Sequence, residues 1–311
     1  MQQVVQVFAR MVLVSRKKEV TVESKEVEPG VFELEVNGIR MTGYEWAGEG
    51  DPILLVHATG FHARCWNQVA ARLPGRRIIA LDLRCHGRSG NSEPPFEWQL
   101  FADDVVEFIR QLDLTNITAV GHSMGGHLIT LAAATMPKRF QQLLLIDPVI
   151  LNPEEVRAAP KFEGEHPSAR RRNRWSSPRE MLNRFRNRYP FSHWDPQVLK
   201  DYCDGGLLPV EGSDEWELAC PPHMEGAIYM SAGMENVYRR VPDVTAPVRI
   251  LRARERTPED PPFDFGPSPT WGRLAEMFQN AEDVYLPDSS HFIPMEQPAY
   301  VAEEIAALVS H

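Results

Sequence analysis

Apolar and polar residues alternate near the start of the chain in the pattern of a half-buried β-hairpin. Val31 to Val36 and Ile39 to Trp46 each alternate apolar with polar side chains, and Asn37-Gly38 separates the two segments. An Asn-Gly pair between alternating segments is typical of a two-residue hairpin turn. The sequence therefore predicts two antiparallel strands joined at Asn37-Gly38.

Further along, the pattern changes to short runs that are apolar throughout, separated by stretches with helical spacing. A strand buried on both faces of a sheet shows such a continuous apolar run. The runs that predict strands are Pro52–His57, Arg77–Leu83, Ile117–Val120, Gln142–Asp147, Val248–Ala253 and Val284–Leu286. The stretches that predict helices are Trp66–Leu73, Trp98–Leu112, Gly125–Thr135 and Pro298–Val309. This alternation predicts an α/β fold with a mainly parallel, doubly wound sheet between two layers of helices.

Residues 151–241 interrupt the alternation. They are rich in Arg, Trp and Pro, show short helical patterns and carry no signal of a parallel strand. Within them, Tyr202 to Cys220 predicts a loop with a short turn-linked segment. We expect 151–241 to form a helical cap inserted in a core of residues 31–150 and 242–311. Residues 1–30 form a polar, charged extension for which the sequence predicts no definite structure.

Residues 170–188, inside the predicted cap, carry eight arginines and one glutamate. A solvated helix face that pairs with an acidic protein body accounts for such a run. A pocket entrance that attracts anions accounts for it as well. The sequence leaves both interpretations open.

Composition excludes several classes of function. The 311 residues are 43% hydrophobic, and the formal net charge is −10. An acidic chain binds nucleic acid poorly, and no run approaches the roughly 18–20 apolar residues of a membrane span. The apolar stretch from Val4 to Val14 lacks the basic start and the cleavage site of a signal peptide. We therefore expect a soluble, cytoplasmic protein.

Four cysteines are scattered along the chain, at Cys65, Cys85, Cys203 and Cys220. None belongs to a Cys-x-x-Cys pair, so no metal site is expected and free thiols are the plain interpretation. A single Cys203–Cys220 disulfide stays open. Nothing in the sequence calls for an organic cofactor.

The most informative stretch for chemistry is Gly121-His122-Ser123-Met124-Gly125. It fits the G-x-S-x-G nucleophile elbow, in which a strained turn between a strand and a helix exposes a serine hydroxyl. The glycines prevent collisions where the strand and the helix meet. Ser123 is therefore the predicted nucleophile, and it needs a base because a free serine hydroxyl is weakly nucleophilic at neutral pH.

Four motifs together carry a resemblance to a known family. They are VHATGFHARCW (Val56–Trp66), DLRCHGRSG (Asp82–Gly90), GHSMGG (Gly121–Gly126) and DSSHFIPMEQP (Asp288–Pro298). With them, the chain resembles the capped, esterase/epoxide-hydrolase-like group of the α/β-hydrolase fold from residue 31 to the C-terminus. The resemblance implies that fold and a nucleophile mechanism, without a substrate. Members that open epoxides or displace halide carry aspartate at the elbow, so serine disfavours both activities.

His291 is the predicted base. It lies in a loop between the last predicted strand and the terminal helix, and the resemblance implies the chain order serine, acid, histidine. Three other histidines compete less well. His57 is expected to bond locally beneath the oxyanion turn and His86 to be structural. His122 is expected to point away from the serine hydroxyl.

Backbone N–H groups are the expected oxyanion donors. The N–H of Met124 follows the nucleophile at a helix N-terminus, where the helix dipole favours negative charge. The resemblance implies that the second donor is Thr59, in the loop after the strand that ends at His57. This chain has His57-Ala58 where the family usually has His-Gly.

The acid partner of His291 is ambiguous in the sequence. The resemblance implies an aspartate after the strand that follows the cap, but Arg256 occupies that position. The family also allows an acid after the strand that follows the elbow helix, where this chain has Asp147. A charged residue at the end of an apolar run needs a partner, which an imidazolium would supply. Asp147 is therefore preferred, with Glu255 and Asp260 as competing acids.

These observations predict a serine hydrolase that cleaves a small-molecule carboxylic ester or lactone through an acyl-enzyme. One alternative is carbon–carbon bond hydrolysis or cofactor-free perhydrolysis on the same three residues, and another is a non-catalytic small-molecule receptor. The side chains expected to line the pocket are Phe61, His62, Trp66, Trp175 and Trp194. Packing of the cap's own core accounts for the cap aromatics equally well.

Overall fold

The central sheet has eight strands in the computed structural model, which describes residues 28–158, 164–261 and 264–309. The strands of the chain are β1 (Gly30–Val36), β2 (Ile39–Trp46), β3 (Glu49–Val56), β4 (Arg76–Leu81), β5 (Ile117–His122), β6 (Phe140–Ile146), β7 (Arg174–Trp175), β8 (Leu207–Pro209), β9 (Trp216–Leu218), β10 (Val248–Arg252) and β11 (Ala281–Tyr285). The sheet order is β1-β2-β4-β3-β5-β6-β10-β11. β2 runs antiparallel to both of its neighbours, and the remaining neighbours are parallel. The predicted α/β class with a mainly parallel sheet is confirmed.

The helices are α1 (Asn67–Ala70), α2 (Trp98–Gln111), α3 (Met124–Thr135), α4 (Pro153–Ala158), α5 (Pro178–Phe185), α6 (Pro196–Gly205), α7 (Pro222–Met230), α8 (Met234–Arg240), α9 (Ile293–Glu296) and α10 (Pro298–Val309). The helix predicted over Trp66–Leu73 is shorter than expected. A 3-10 turn over Ala63–Trp66 precedes α1, which ends at Ala70. Leu73 precedes Pro74, and a following proline disfavours helical backbone.

Helices cover both faces of the sheet. The side chains of each strand alternate between the two faces, so a buried strand needs apolar residues on both. In β3, Leu54 and Val56 pack in one apolar cluster with residues of α2 and α3. Ile53 and Leu55 pack in a second cluster with residues of α1 and α10. The continuous apolar run of this strand therefore fills two separate cores, as a doubly wound sheet requires.

The carboxyl ends of three parallel strands lie side by side at one edge of the sheet. Val56 is in register with Gly121, and His122 with Ile146. The residues that directly follow β5 and β6 are Ser123 and Asp147, so the fold carries both to the same edge. Ligands of open α/β sheets bind at this edge.

Residues 151–241 lie between β6 and β10, which are neighbours in the sheet. They contain α4 to α8 and a small antiparallel sheet in the order β7-β9-β8. The expectation of only a loop and a short turn-linked segment over Tyr202–Cys220 was wrong in part. Part of α6 and the strands β8 and β9 fall there, and strands of three residues are too short to give an alternation pattern.

This segment packs in two different ways. Trp175, Met181, Trp194 and Tyr202 form an apolar cluster of their own with neighbouring side chains. Residues of α7 and α8, including Met224 and Val237, instead join the main core beside α3. The boundaries of the predicted cap at 151 and 241 stay a prediction. Residues 1–27 of the predicted N-terminal extension lie outside the described residues.

Candidate active site

Ser123 lies on a tight turn between β5 and α3. Its backbone has φ +56° and ψ −117°, a region that non-glycine residues rarely adopt. A Cβ on Gly121 would stand 2.5 Å from the Gly125 carbonyl carbon, and a Cβ on Gly125 would overlap the Val56 carbonyl oxygen. Both glycines are therefore needed for the close approach of strand, turn and helix. The serine side chain is held where β3, β5 and β6 end.

His291 reaches the serine from the loop between β11 and α9. Its Nε2 atom lies 3.0 Å from Ser123 Oγ, within hydrogen-bond distance. Its backbone N–H donates to the Gly266 carbonyl oxygen at 2.7 Å, which fixes the loop. The residue is 6% exposed, so the imidazole contacts the serine in a largely desolvated position.

Asp147 lies on the other side of the imidazole, with Oδ2 at 2.6 Å from His291 Nδ1. The carboxylate is fully buried. Its second oxygen accepts from the Ala253 N–H at 3.0 Å and from the Ser268 hydroxyl at 2.5 Å. The Thr270 hydroxyl lies 3.2 Å from the same oxygen. The burial is thus compensated by hydrogen bonds on both oxygens.

The two competing acids point elsewhere. The side chain of Glu255 is 65% exposed and pairs with Arg252 at 2.8 Å. Asp260 pairs with Arg254 at 2.8 Å and also accepts from the Thr257 N–H at 2.7 Å. Among the described carboxylates, Asp147 is the one within hydrogen-bond distance of His291 Nδ1.

The two predicted oxyanion donors approach each other across the nucleophile turn. The Thr59 hydroxyl donates to the Met124 sulfur at 3.2 Å, so the β3 loop packs directly on the start of α3. Within the described chain, the Thr59 N–H donates no hydrogen bond. Met124 is the first residue of α3, a position whose N–H has no partner inside the helix. Both amides are therefore available to an oxygen placed beside Ser123.

Two buried histidines hold the Thr59 loop in place. His57 donates from Nδ1 to the Ala58 carbonyl oxygen at 2.7 Å, and its Nε2 accepts from the Leu83 N–H at 3.0 Å. His86 Nε2 accepts from the Gly60 N–H at 3.0 Å. Burial lowers the pKa of His86 to about 4 and, together with the nearby His86, lowers that of His57 well below its usual value. Both rings are neutral at pH 7, which these bonds require.

The predicted local role of His57 beneath the oxyanion turn agrees with these contacts. The contact between His86 and Gly60 was not predicted, because nothing in a sequence shows that a ring meets an amide 26 residues away. His122 points away from the serine hydroxyl, and its Nε2 lies 2.8 Å from the His291 carbonyl oxygen.

Ser123 and His291 open into a cavity of about 710 Å³. Phe61, Trp175 and Trp194 line it, as expected from the sequence. Most of its lining comes from residues of the 151–241 segment and from the loop that follows β10. This volume lies in the range of sites that take small molecules.

Two of the residues expected in the pocket lie outside it. The His62 ring is buried, stacks on Tyr202 and bonds the Tyr202 carbonyl oxygen at 3.0 Å from Nε2. Burial lowers its pKa to about 4. Trp66 is fully buried in the apolar cluster that also contains Ile53 and Leu55 of β3. Both expectations were wrong, because contacts with Tyr202 for His62 and with core residues for Trp66 hold these side chains away from the cavity.

An ion pair that the sequence did not reveal also lines the cavity. Arg171 donates to Glu225 at 2.6 Å and to the Tyr202 hydroxyl at 2.9 Å. Glu225 is 3% exposed, and burial raises its pKa while Arg171 opposes the shift. A Cβ added to Gly60 would stand 2.8 Å from Glu225 Oε1, so the pair lies against the Thr59 loop. The partners are 54 residues apart, which leaves no local signal.

Over the ranges that the structure describes, no group of His, Cys, Asp and Glu side chains could hold a metal ion. No helix in those ranges is long and apolar enough to cross a membrane. Cys65, Cys85, Cys203 and Cys220 are all free and buried.

Comparison with known proteins places this architecture in a family. The profile of the alpha/beta hydrolase family matches residues 53–304. A curated relative, the (E)-2-((N-methylformamido)methylene)succinate hydrolase of Acinetobacter baylyi, is 29% identical over 127 residues, which cover 40% of this chain and 48% of that protein. The alignments with this relative and with uncharacterized mycobacterial proteins thus span between 36% and 48% of the relatives' own length.

Solved structures agree over most of the chain. An E-2-(acetamidomethylene)succinate hydrolase superposes with a TM-score of 0.71 at 21% identity, covering 91% of this chain and all of that one. An esterase from Mycobacterium tuberculosis superposes with a TM-score of 0.67 at 19% identity, covering 91% and 92% of the two chains. At these identities the likeness shows the fold. Because the family profile extends over most of the chain, this protein belongs to the alpha/beta hydrolase family.

Proposed function

We propose that the protein is a serine hydrolase that cleaves a carboxylic ester or lactone through an acyl-enzyme intermediate. The observation that carries the proposal is the continuous contact from Ser123 Oγ to His291 Nε2 at 3.0 Å and from His291 Nδ1 to Asp147 at 2.6 Å. Such a series of nucleophile, base and acid is the geometry that activates a hydroxyl for acyl transfer.

In the first half of the reaction, Ser123 Oγ attacks the carbonyl carbon and its proton passes to His291 Nε2. The oxyanion that forms accepts hydrogen bonds from the N–H groups of Thr59 and Met124. His291 then gives the proton to the leaving alkoxide oxygen as the carbon–oxygen bond breaks. The acyl group stays on Ser123, and the alcohol leaves.

In the second half, His291 removes a proton from water, and the hydroxide oxygen attacks the acyl carbon. The intermediate collapses with the proton returning from His291 to Ser123 Oγ, and the carboxylic acid is released. Asp147 holds the imidazole with Nδ1 protonated, so that Nε2 is free to accept, and it stabilises the imidazolium. In a lactone the leaving alkoxide remains attached to the acyl chain, and the steps are the same.

We propose that residues 151–241 act as a cap that covers this site. The cavity is lined largely by their side chains, and the aromatic ones give it apolar walls. The relative from Acinetobacter is named as a hydrolase of a methylene-succinate, and the mycobacterial structure is named as an esterase. These names point to different substrates, so the substrate of this chain has to be inferred from its own cavity.

Replacing the nucleophile tests the proposal. Ser123→Ala should lower kcat for aryl esters by roughly 10³–10⁶, leaving the rate supplied by binding and the oxyanion donors. It should also abolish labelling by a fluorophosphonate, while the thermal unfolding midpoint stays close to that of the wild type. Unchanged esterase activity in a folded Ser123→Ala protein would refute the mechanism. A wild-type protein that binds esters without labelling or turnover would favour a receptor.

A further inference from the structure

The wall of the catalytic cavity carries more arginines than carboxylates, although the protein is acidic as a whole. Five arginines and two carboxylates line the cavity, whereas the formal net charge of the chain is −10. Two of these arginines have acidic partners. Arg171 pairs with Glu225 and Arg172 with Glu180, both at 2.6 Å. Their charges are therefore largely compensated within the protein.

The other three arginines, Arg184, Arg188 and Arg256, have no carboxylate partner in the part of the chain that the structure describes. Arg256 donates to the backbone carbonyl oxygens of Pro261 and Asp264, which uses two of its five N–H groups and does not neutralise its charge. All three residues are exposed and line the cavity. The Asp264 carboxylate is the remaining acidic group in the lining, and it accepts from the Tyr189 hydroxyl at 3.2 Å. The cavity thus retains uncompensated positive charge.

Apolar side chains belong to the same wall. Phe185 and Phe191 stack with ring centres 4.3 Å apart, and Trp194 packs on Phe191. All three line the cavity that contains Ser123 and His291. A ligand in this cavity therefore meets the nucleophile, an aromatic surface and uncompensated guanidinium groups. A planar guanidinium recognises carboxylate and phosphate groups through paired N–H donors.

We propose that the ester or lactone hydrolysed by this protein carries an acidic substituent, a carboxylate or phosphate-type group, held at the cavity wall by Arg184, Arg188 and Arg256. This inference rests on the proposed hydrolase function and names the substrate class of that site. Within residues 170–188, the proposal applies the interpretation as an anion-attracting pocket to Arg184 and Arg188. Arg170, Arg172 and Arg174 pair with Glu165, Glu180 and Glu217, as the interpretation as a salt-bridged face expects. Arg179 and Arg186, on the same stretch, do not line the cavity and fit the interpretation as a solvated face.

The first test measures binding without turnover. The Ser123→Ala protein would be titrated by calorimetry with monophenyl glutarate, which has a free carboxylate, and with methyl phenyl glutarate, in which the carboxylate is capped. We expect the free acid to bind about tenfold more tightly, as for a ligand carboxylate that pairs with more than one guanidinium. Adding Arg184→Gln and Arg188→Gln should reduce that preference to about twofold or less.

The matched control is the pair Arg179→Gln and Arg186→Gln, which removes the same charge from the same stretch outside the cavity. The control should retain the preference for the free acid. Equal loss in both double variants would show a diffuse charge effect and overturn the proposal, as would equal binding of the two esters to Ser123→Ala. Raised salt should weaken the preference in the control protein, since exposed ion pairs are screened.

A turnover experiment separates this proposal from the proposed function. If the wild type hydrolyses both esters but kcat/KM does not favour the free acid, the protein is a hydrolase and the anion site is refuted. If calorimetry shows the preference while neither ester is hydrolysed, the anion site stands and the hydrolase proposal fails. Phenyl 4-phosphonobutanoate, with the same spacer, identifies which acidic group the arginines prefer, and tighter binding than the capped ester by either acid supports the site.

Discussion

Asp147→Asn is the sharpest test of the candidate site, because the surroundings of the carboxylate dictate how the amide must orient. One oxygen of Asp147 faces the Ala253 N–H, which can only donate, and the Ser268 hydroxyl. In the variant, the amide oxygen must occupy this side, since an NH₂ group there would leave the Ala253 N–H without an acceptor. The NH₂ group therefore faces His291 Nδ1, at the position of the oxygen that now lies 2.6 Å away.

An NH₂ donor beside Nδ1 selects the wrong tautomer of His291. Nδ1 becomes an acceptor, the proton moves to Nε2, and the imidazole can no longer accept the proton of Ser123 Oγ. In a serine protease, the corresponding acid-to-amide change lowered kcat by about 10⁴ through the same inversion. We expect a drop of roughly 10³–10⁴ here, which corresponds to about 4–5.5 kcal/mol of transition-state stabilisation.

The assay is kcat for an aryl ester, with thermal melts recorded beside the kinetics. Glu255→Gln is the matched control, because that exposed carboxylate pairs with Arg252 and not with His291, and it should cost less than about tenfold. A folded Asp147→Asn protein that retains kcat within tenfold of the wild type would refute the tautomer argument. A larger loss in Glu255→Gln than in Asp147→Asn would move the acid to the loop after β10.

Three further predictions concern packing, specificity and pH. Gly125→Ala places a Cβ onto the Val56 carbonyl oxygen and should cost about 1–3 kcal/mol in the free energy of unfolding, measured by denaturant titration. Gly233→Ala, where a Cβ would meet no atom within 4 Å, is its control, and an equal loss in both would contradict the steric explanation. Trp194→Phe enlarges the cavity and should move the preference in kcat/KM toward longer acyl chains, and an unchanged rank order across a graded ester panel would exclude Trp194 as a specificity residue. Burial lowers the pKa of His62, His86 and His127 to about 4, whereas the unfolded value is about 6.5, so the unfolded chain binds more protons between these values. The free energy of unfolding should therefore fall as the pH drops from about 6.5 to about 4. His127→Gln should remove about one proton from the difference between the protons bound by the unfolded and folded chains, and so make this pH dependence less steep. An unchanged pH dependence would show that His127 does not contribute.

Local pattern was sufficient for the sheet because each buried strand is a continuous apolar run. β3, β5 and β6 all appeared in the sequence within a few residues of their observed bounds. The turn at Ser123 could also be predicted from the sequence, since its two glycines are required by contacts within a few residues or with an adjacent strand. Structural requirements between residues that are close in the chain therefore appear in the sequence as a recognisable motif.

The less predictable features depend on partners far apart in the chain. Ser268 and Thr270 bond to Asp147 across more than 120 residues, so the sequence could prefer Asp147 over Glu255 and Asp260 but could not show these contacts. His62 was expected in the pocket, and only its stacking on Tyr202, 140 residues away, shows otherwise. β7 and β9 pair over two residues, too few for periodicity to reveal.

The position of Asp147 at the end of β6 has a consequence for how such a protein can diversify. Ser123 and Asp147 are supplied by adjacent strands that both precede residues 151–241 in the chain. Residues 151–241, which we propose as the cap, therefore follow the proposed nucleophile and its proposed acid in the chain, and His291 follows them. We therefore expect that exchanging residues 164–218 for those of a relative would change which molecules the cavity admits, because many of these residues line it while β5 and β6 lie outside the exchanged range.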